Sequence, residues 1–144
     1  MTAKDVSFFN EVRNDCRKML HDPSYYTLEE SISWFKKNKP RFFIYELKGE
    51  KIGYFRTSNW MPNGCYVGLD IHKKFRGKKM AVPAYNDFFN YLKEEIGKRN
   101  FYEFFLEVLS HNKIAINLYK KLGFKEISEI GSANIKMKLI LSNE

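Results

Sequence analysis

Leu106 to Phe124, LEVLSHNKIAINLYKKLGF, is the stretch whose reading decides the fold. Leu106-Glu107-Val108-Leu109 reads as the end of a strand, and Ser110-His111 as the turn after it. Ala115, Leu118, Tyr119 and Leu122 then fall at i, i+3, i+4 and i+7, the spacing of one helix face. Ser110 or Asn112 can cap that helix, since either side chain can accept from a free backbone N–H. Lys120 and Lys121 lie in its last turn, where the helix dipole favours cations. Gly123 follows where a left-handed residue ends a helix without a Cβ clash, and Phe124 can fold back on the last turn.

Working outward, Phe101–Leu109 is one strand and Cys65–Ile71 another. Between them lie the basic loop Arg76–Ala81 and a long helix with Met80, Ala84, Phe88, Leu92 and Ile96 on one stripe. Pro83 is tolerated if that helix begins near Met80, because its missing N–H is then not needed. A strand–helix–strand crossover of this length should be right-handed and leave its strands parallel. Their carboxyl ends then open on the edge where ligands bind in α/β sheets.

Downstream, Lys125–Ile130 and Asn134–Leu141 read as strands joined by a turn at Gly131-Ser132. Upstream, Asp5–Leu20 reads as a helix that Pro23 closes off. Thr27-Leu28-Glu29-Glu30 is a capping box, opening a second helix with Leu28, Ile32 and Phe35 on one side. Arg41–Leu47 and Ile52–Thr57 form a hairpin around Lys48–Lys51, and Asn59–Gly64 is a loop.

A chain of 144 residues is expected to form one domain with a real core, spanning 1–144. No run approaches 18 apolar residues, so no membrane span is expected, and the first ten residues carry no signal pattern. Cys16 and Cys65 are far apart and His21, His72 and His111 are scattered, so no metal site is expected. Two reduced thiols suit a cytoplasmic protein. The net charge of +8 favours an anionic partner: a nucleotide cofactor, a nucleotide-linked substrate or a nucleic acid. The lysines are spread over several elements and no nucleic-acid fold motif is recognisable, which disfavours the last.

The helix and its flanks resemble the Gcn5-related N-acetyltransferase (GNAT) superfamily, whose members carry N-x-x-A-x-x-L-Y-x-x-x-G-F after a central strand. Asn112, Ala115, Leu118, Tyr119, Gly123 and Phe124 match it position by position. The resemblance implies an α/β domain with a mixed, mainly antiparallel sheet of about six strands and about four helices. It further implies acetyl transfer from acetyl coenzyme A to a primary amine, in a ternary complex and without a metal. The superfamily's cofactor loop is R/Q-x-x-G-x-G/A. Here Arg76-Gly77-Lys78-Lys79-Met80-Ala81 takes that place, with Lys79 where the middle Gly stands. Free N–H groups at such a helix start can bind pyrophosphate. Backbone binding survives the departure if Lys79 holds an ordinary N-cap or helical conformation. Ile71 takes the position whose main chain pairs with the pantetheine arm, and Asn112 and Tyr119 join the implied cofactor contacts.

Tyr119 is the implied acid for the leaving thiolate, in keeping with a phenol pKa of about 10 against about 8.5 for a simple thiol. Glu107 is a candidate base, since an ammonium must lose a proton before it attacks; it lies in the L-E-V register of ribosomal-protein N-terminal acetyltransferases. Asp70 is a second candidate base that could equally cap a turn. Cys65 stands where histone-type enzymes carry their Glu. Arg13-Asn14 is similar to a motif of enzymes that acetylate amino groups on nucleotide sugars, which makes Arg13 a candidate for a substrate phosphate. A small anionic amine, first a nucleotide-linked amino sugar, is therefore the expected acceptor. A protein N-terminus or lysine is the rival within the class, and a nucleic-acid-binding module or a non-catalytic coenzyme A binder the rivals outside it. A homodimer stays open. The strand that usually opens the superfamily is not legible before Asp5.

Overall fold

The computed structural model describes residues 1–128 and 133–142. Its helices are α1 (Val6–Cys16), α2 (Leu28–Asn38), α3 (Ala81–Ile96) and α4 (Lys113–Leu122). The strands are β1 (Phe43–Leu47), β2 (Glu50–Met61), β3 (Gly64–Ile71), β4 (Phe101–Leu109), β5 (Lys125–Glu126) and β6 (Asn134–Ser142). They form one six-stranded sheet of order β1-β2-β3-β4-β6-β5. β1–β2, β4–β6 and β5–β6 pair antiparallel, and β3–β4 pair parallel, as the crossover requires. No strand precedes α1 among the described residues.

The chain divides into two compact units: Met1–Ser58 with Gly68–Met80, and Asn59–Val67 with Ala81–Glu144. In the first, α1 buries Val6, Phe9 and Val12. Phe9 lies against Tyr54 of β2, with ring centroids 4.9 Å apart, and stacks on Trp34 of α2 at 5.4 Å. The capping box of α2 is present: the Thr27 hydroxyl accepts from the Glu30 N–H, and the Glu30 carboxylate accepts from the Thr27 N–H. The inward face of α2 keeps Ile32 and Phe35 of the expected Leu28–Ile32–Phe35 stripe half-buried but departs from it at the start. Ser31 is its buried residue and Leu28 is exposed. The cause is polar: Asn10 of α1 donates to the Ser31 hydroxyl at 2.9 Å and to the Tyr26 carbonyl at 2.8 Å, drawing that edge of α2 inward.

In the second unit, α3 buries Ala84, Tyr85, Phe88, Phe89 and Leu92, a wider stripe than the i, i+4 series. β4 buries Tyr102, Phe104, Leu106 and Val108, the alternation of a strand with one face in the core. Phe89 stacks on Phe104 at 4.8 Å, and Met137 and Leu139 of β6 are buried too. Two boundaries differ from expectation. The supposed loop Asn59–Gly64 is mostly strand: β2 continues to Met61 through a left-handed Asn59, and only Pro62-Asn63 turn. β5 stops at Glu126, while Ile130 and the expected turn at Gly131-Ser132 lie outside the described residues.

Candidate active site

The first unit carries the basic loop. β3 ends at Ile71, His72 caps a short 3-10 turn over Lys73–Phe75, and Arg76 to Met80 lead into α3. His72 is held on both sides. Its ring stacks on Phe8 and its Nε2 lies 3.1 Å from Glu11, both on α1. Arg76 folds back: its Nε donates to the Ile71 carbonyl at 2.9 Å, and its guanidinium reaches Cys16 Sγ at 3.1 Å. The structure thus brings Arg76 and Ile71 together, by a contact that occupies both. Burial, reinforced by nearby Asp70, pushes the Cys16 thiol up to about 11, so it stays protonated at neutral pH.

Gly77, Lys78 and Lys79 are exposed. Gly77 has φ 72° with open space around the position of a Cβ. Lys79 has φ 57°. The condition of an ordinary N-cap or helical Lys79 is therefore not met. The residue adopts a left-handed backbone, which glycine takes without a Cβ clash and which strains an ordinary residue. The backbone amides of Gly77 to Met80 donate to no acceptor among the described residues. Pro83, third residue of α3, withdraws no needed N–H. Lys73, Lys74, Arg76, Lys78 and Lys79 add positive charge, and free amides at a basic helix start suit a pyrophosphate.

The second unit carries the strand and helix of the motif. Glu107 is exposed on β4 and paired in register with Lys136 of β6. Asn112 caps α4, its side chain accepting from the Ala115 N–H at 3.3 Å, so Asn112 and not Ser110 starts the helix. Ile116 is the most buried residue of α4; the expected face is half-buried on either side of it. Tyr119 is half-buried, with its ring edge-on to Tyr85 at 6.0 Å and to Phe124 at 5.9 Å. The Phe124 N–H donates to the Tyr119 carbonyl and the Gly123 N–H to the Lys120 carbonyl, closing a Schellman cap around Gly123 at φ 104°.

Within the first unit lies a cavity of about 440 Å³. Phe9, Trp34, Phe42 and Tyr54 supply its aromatic wall, Arg13, Asp22 and Glu30 its polar side, and Arg56 and Asp70 close it from the sheet. Arg13 is already engaged. Its guanidinium donates to the carbonyls of Ser24 at 2.6 Å and Asp22 at 2.8 Å, pairs with the Asp22 carboxylate at 3.5 Å, and lies over the Tyr26 ring. Asp22 is held down to about 2 by hydrogen bonds from Tyr26 and Ser24 and by Arg13. Asp70 is 6% exposed, and its carboxylate oxygens lie 3.1 Å from Arg56 Nε and 3.3 Å from an Arg56 terminal nitrogen. Gly68 makes room for this pair: a Cβ there would sit 2.5 Å from the guanidinium. Burial, then Asp70, raises the neighbouring Tyr54 hydroxyl well above its ordinary range. Trp34, Tyr54, Arg56 and Gly68 are absent from the sequence-based site. The available signal was strand alternation, which sets Tyr54 and Arg56 on one face of β2 and Gly68 and Asp70 on one face of β3.

The sequence profile of the acetyltransferase (GNAT) family matches residues 6–124. The chain belongs to that family. Among curated GNAT relatives, an N-alpha-acetyltransferase of Sulfurisphaera tokodaii is 31% identical over 117 residues, covering 73% of this chain and 66% of that protein. An uncharacterized N-acetyltransferase of Methanocaldococcus jannaschii is 29% identical over 117 residues, 73% of this chain and 50% of that protein. The chain thus spans between half and two thirds of the curated relatives it matches. Among solved GNAT folds, the spermidine N-acetyltransferase of Vibrio cholerae, in complex with CoA and spermine, superposes with a TM-score of 0.77 at 19% identity, covering 99% of this chain and 92% of that one. Among the described residues no group of three or more His, Cys, Asp or Glu could hold a metal ion, and no helix is long and apolar enough to cross a membrane.

Proposed function

We propose that the protein transfers an acetyl group from acetyl coenzyme A to the primary amine of a small acceptor. The observation that carries this reading is the family match over residues 6–124, which spans both the β3–α3 loop and the β4–α4 motif. The Arg76–Ala81 loop takes the pyrophosphate on its free amides, aided by its cations. Ile71, Asn112 and Tyr119 contribute the remaining cofactor contacts. In the reaction the amine nitrogen bonds to the thioester carbonyl carbon and the C–S bond breaks. The departing thiolate takes its proton from the Tyr119 hydroxyl, and the amine yields its proton to Glu107, directly or through water. The whole of 1–144 acts as one acetyltransferase domain. Its two free thiols, Cys16 and Cys65, suit a reducing cytoplasm.

The acceptor enters the cavity of the first unit. An amino sugar on a nucleotide needs a cation for its phosphates. Arg13 is the candidate, and it must then leave Asp22 and Ser24. A protein α-amine is the second reading, supported by the N-alpha-acetyltransferase among the relatives.

The test is release of free coenzyme A thiol from acetyl coenzyme A across a panel of amines, nucleotide-linked amino sugars and short peptides. The expected result is turnover with at least one amine. Tyr119→Phe should lower kcat on the order of 10²-fold or more while retaining cofactor binding. Wild-type kcat in Tyr119→Phe removes the acid role. Coenzyme A binding without turnover of any amine leaves a non-catalytic binder.

A further inference from the structure

The acceptor cavity is at odds with the charge of the molecule around it. The chain carries a net +8. The cavity is lined by two arginines, Arg13 and Arg56, against three carboxylates, Asp22, Glu30 and Asp70, so its formal charge is 2 − 3 = −1. Both arginines already face an aspartate: Arg13 lies 3.5 Å from Asp22, and Arg56 lies 3.1 Å from Asp70. The cations that make the protein basic lie elsewhere, many of them in the exposed β3–α3 loop.

The innermost polar groups are imperfectly paired: a terminal Arg56 nitrogen donates to Asp70 Oδ1 at 3.3 Å, while Arg56 Nε lies 3.1 Å from Asp70 Oδ2 without an aligned hydrogen bond. Asp70 is almost fully buried, yet its Oδ2 accepts no aligned hydrogen bond; the approach of Arg56 Nε is that of an ion pair only. The Tyr54 hydroxyl, fully buried, has Asp70 as its hydrogen-bonding neighbour, in a geometry that is not well aligned. Buried polar atoms are normally satisfied, and an ammonium brings three N–H donors. The rest of the wall is aromatic. Phe9, Trp34, Phe42 and Tyr54 form one contiguous ring cluster, with centroids between 4.9 and 6.0 Å apart. Such a wall takes an apolar body and tolerates a cation near a ring face.

We infer that the cavity selects a compact primary amine on an aromatic or aliphatic body without phosphate, and that Asp70 receives its ammonium. The inference rests on the acetyltransferase reading and narrows its acceptor, setting aside the phosphate-bearing sugar and the protein α-amine named above. Asp70 acts before the chemical step, holding the charged amine; loss of the proton and attack on the thioester follow as described above. Arg56 positions Asp70, Gly68 gives Arg56 its place, and Trp34, at the rim, covers the body of the acceptor.

The test uses the full chain with 2-phenylethylamine, its neutral analogue 2-phenylethanol, a UDP-linked amino sugar and a short peptide. Coenzyme A release gives kcat and KM for the amines. Competition against 2-phenylethylamine turnover gives an inhibition constant for 2-phenylethanol. The expected result is that 2-phenylethylamine turns over with the highest kcat/KM and that 2-phenylethanol binds at least about tenfold more weakly, the range of a charge-assisted hydrogen bond. Asp70→Asn should raise KM for the amine by about ten- to hundredfold. It should also erase the preference over the alcohol, which a merely structural role of Asp70 would not do. If Asp70→Asn fails to fold, Trp34→Ala supplies the second arm and should raise KM for 2-phenylethylamine more than for the peptide. Turnover of the sugar or the peptide in preference to 2-phenylethylamine overturns the inference and leaves acetyl transfer standing. Absence of coenzyme A release with every acceptor, despite cofactor binding, sinks the acetyltransferase reading itself.

Discussion

Lys79 stands at φ 57°, in a loop whose family pattern asks for glycine. A left-handed backbone costs an ordinary residue roughly 1–2 kcal/mol. Glycine removes that strain but gives the unfolded chain more freedom, worth about 0.5–1 kcal/mol in the opposite direction. Lys79→Gly should therefore be neutral to slightly stabilising in a urea titration, within about 1 kcal/mol. It should change acetyl coenzyme A affinity only modestly, because the backbone already holds the conformation glycine would take. Lys79→Val places a β-branched residue at positive φ and should lose about 1 kcal/mol or more. Equal losses in the two variants would show that the loop does not hold this backbone. If Lys79→Gly creates cofactor binding absent from the parent, the native loop is a degenerate one.

Helix α4 shows how one motif carries two demands. Its Gly123 stop, the Tyr119 and Lys120 carbonyls that accept from the next amides, and the Tyr119–Phe124 ring contact form a complete cap. A Cβ on Gly123 would meet both the φ of 104° and the Leu139 Cδ1 atom at 3.1 Å. Gly123→Ala should destabilise by about 1–2 kcal/mol. Chemical denaturation checks this, and an unchanged midpoint would mean that the cap contributes little. The same geometry makes Tyr119→Phe a clean probe of chemistry, because the ring that packs on Tyr85 and Phe124 is retained and only the hydroxyl leaves. Helix α2 makes the complementary point. Its start was legible from Thr27 to Glu30, but its inward face only in part: Ile32 and Phe35 are half-buried, while the buried Ser31 accepts a hydrogen bond from Asn10 on another helix.

For the molecule as a whole, a ligand that binds only the folded chain must raise its melting temperature. Acetyl coenzyme A at about a hundred times its dissociation constant should stabilise by about 2.7 kcal/mol. For a chain of this length that corresponds to roughly 5–10 °C in a thermal melt. The shift should shrink as salt rises, because exposed cations at Lys73, Lys74, Lys78 and Lys79 are screened. A shift with DNA or RNA and none with acetyl coenzyme A would transfer the basic loop to a nucleic-acid partner.

The sequence by itself determined what is local or periodic. The β4–α4 stretch, its Gly123 end, the capping box at Thr27 and the parallel β3–β4 pair all follow from spacing, capping chemistry and crossover topology. The tertiary structure alone decided what depends on partners distant in the chain. Strand β2 reaches Met61, through a left-handed Asn59, where the sequence reads as loop. Arg13, legible as a phosphate ligand, is drawn instead to Asp22 and Ser24. Arg76, legible as a cofactor cation, is drawn to Ile71 and Cys16. Asp70 faces Arg56 across Gly68 because β2 and β3 place alternate residues on one face, and a missing side chain leaves no mark in a sequence except the space it opens. Capping and periodicity act over a few residues and can be read along the chain. The direction of a charged side chain is set by competition among all the partners that folding brings within reach.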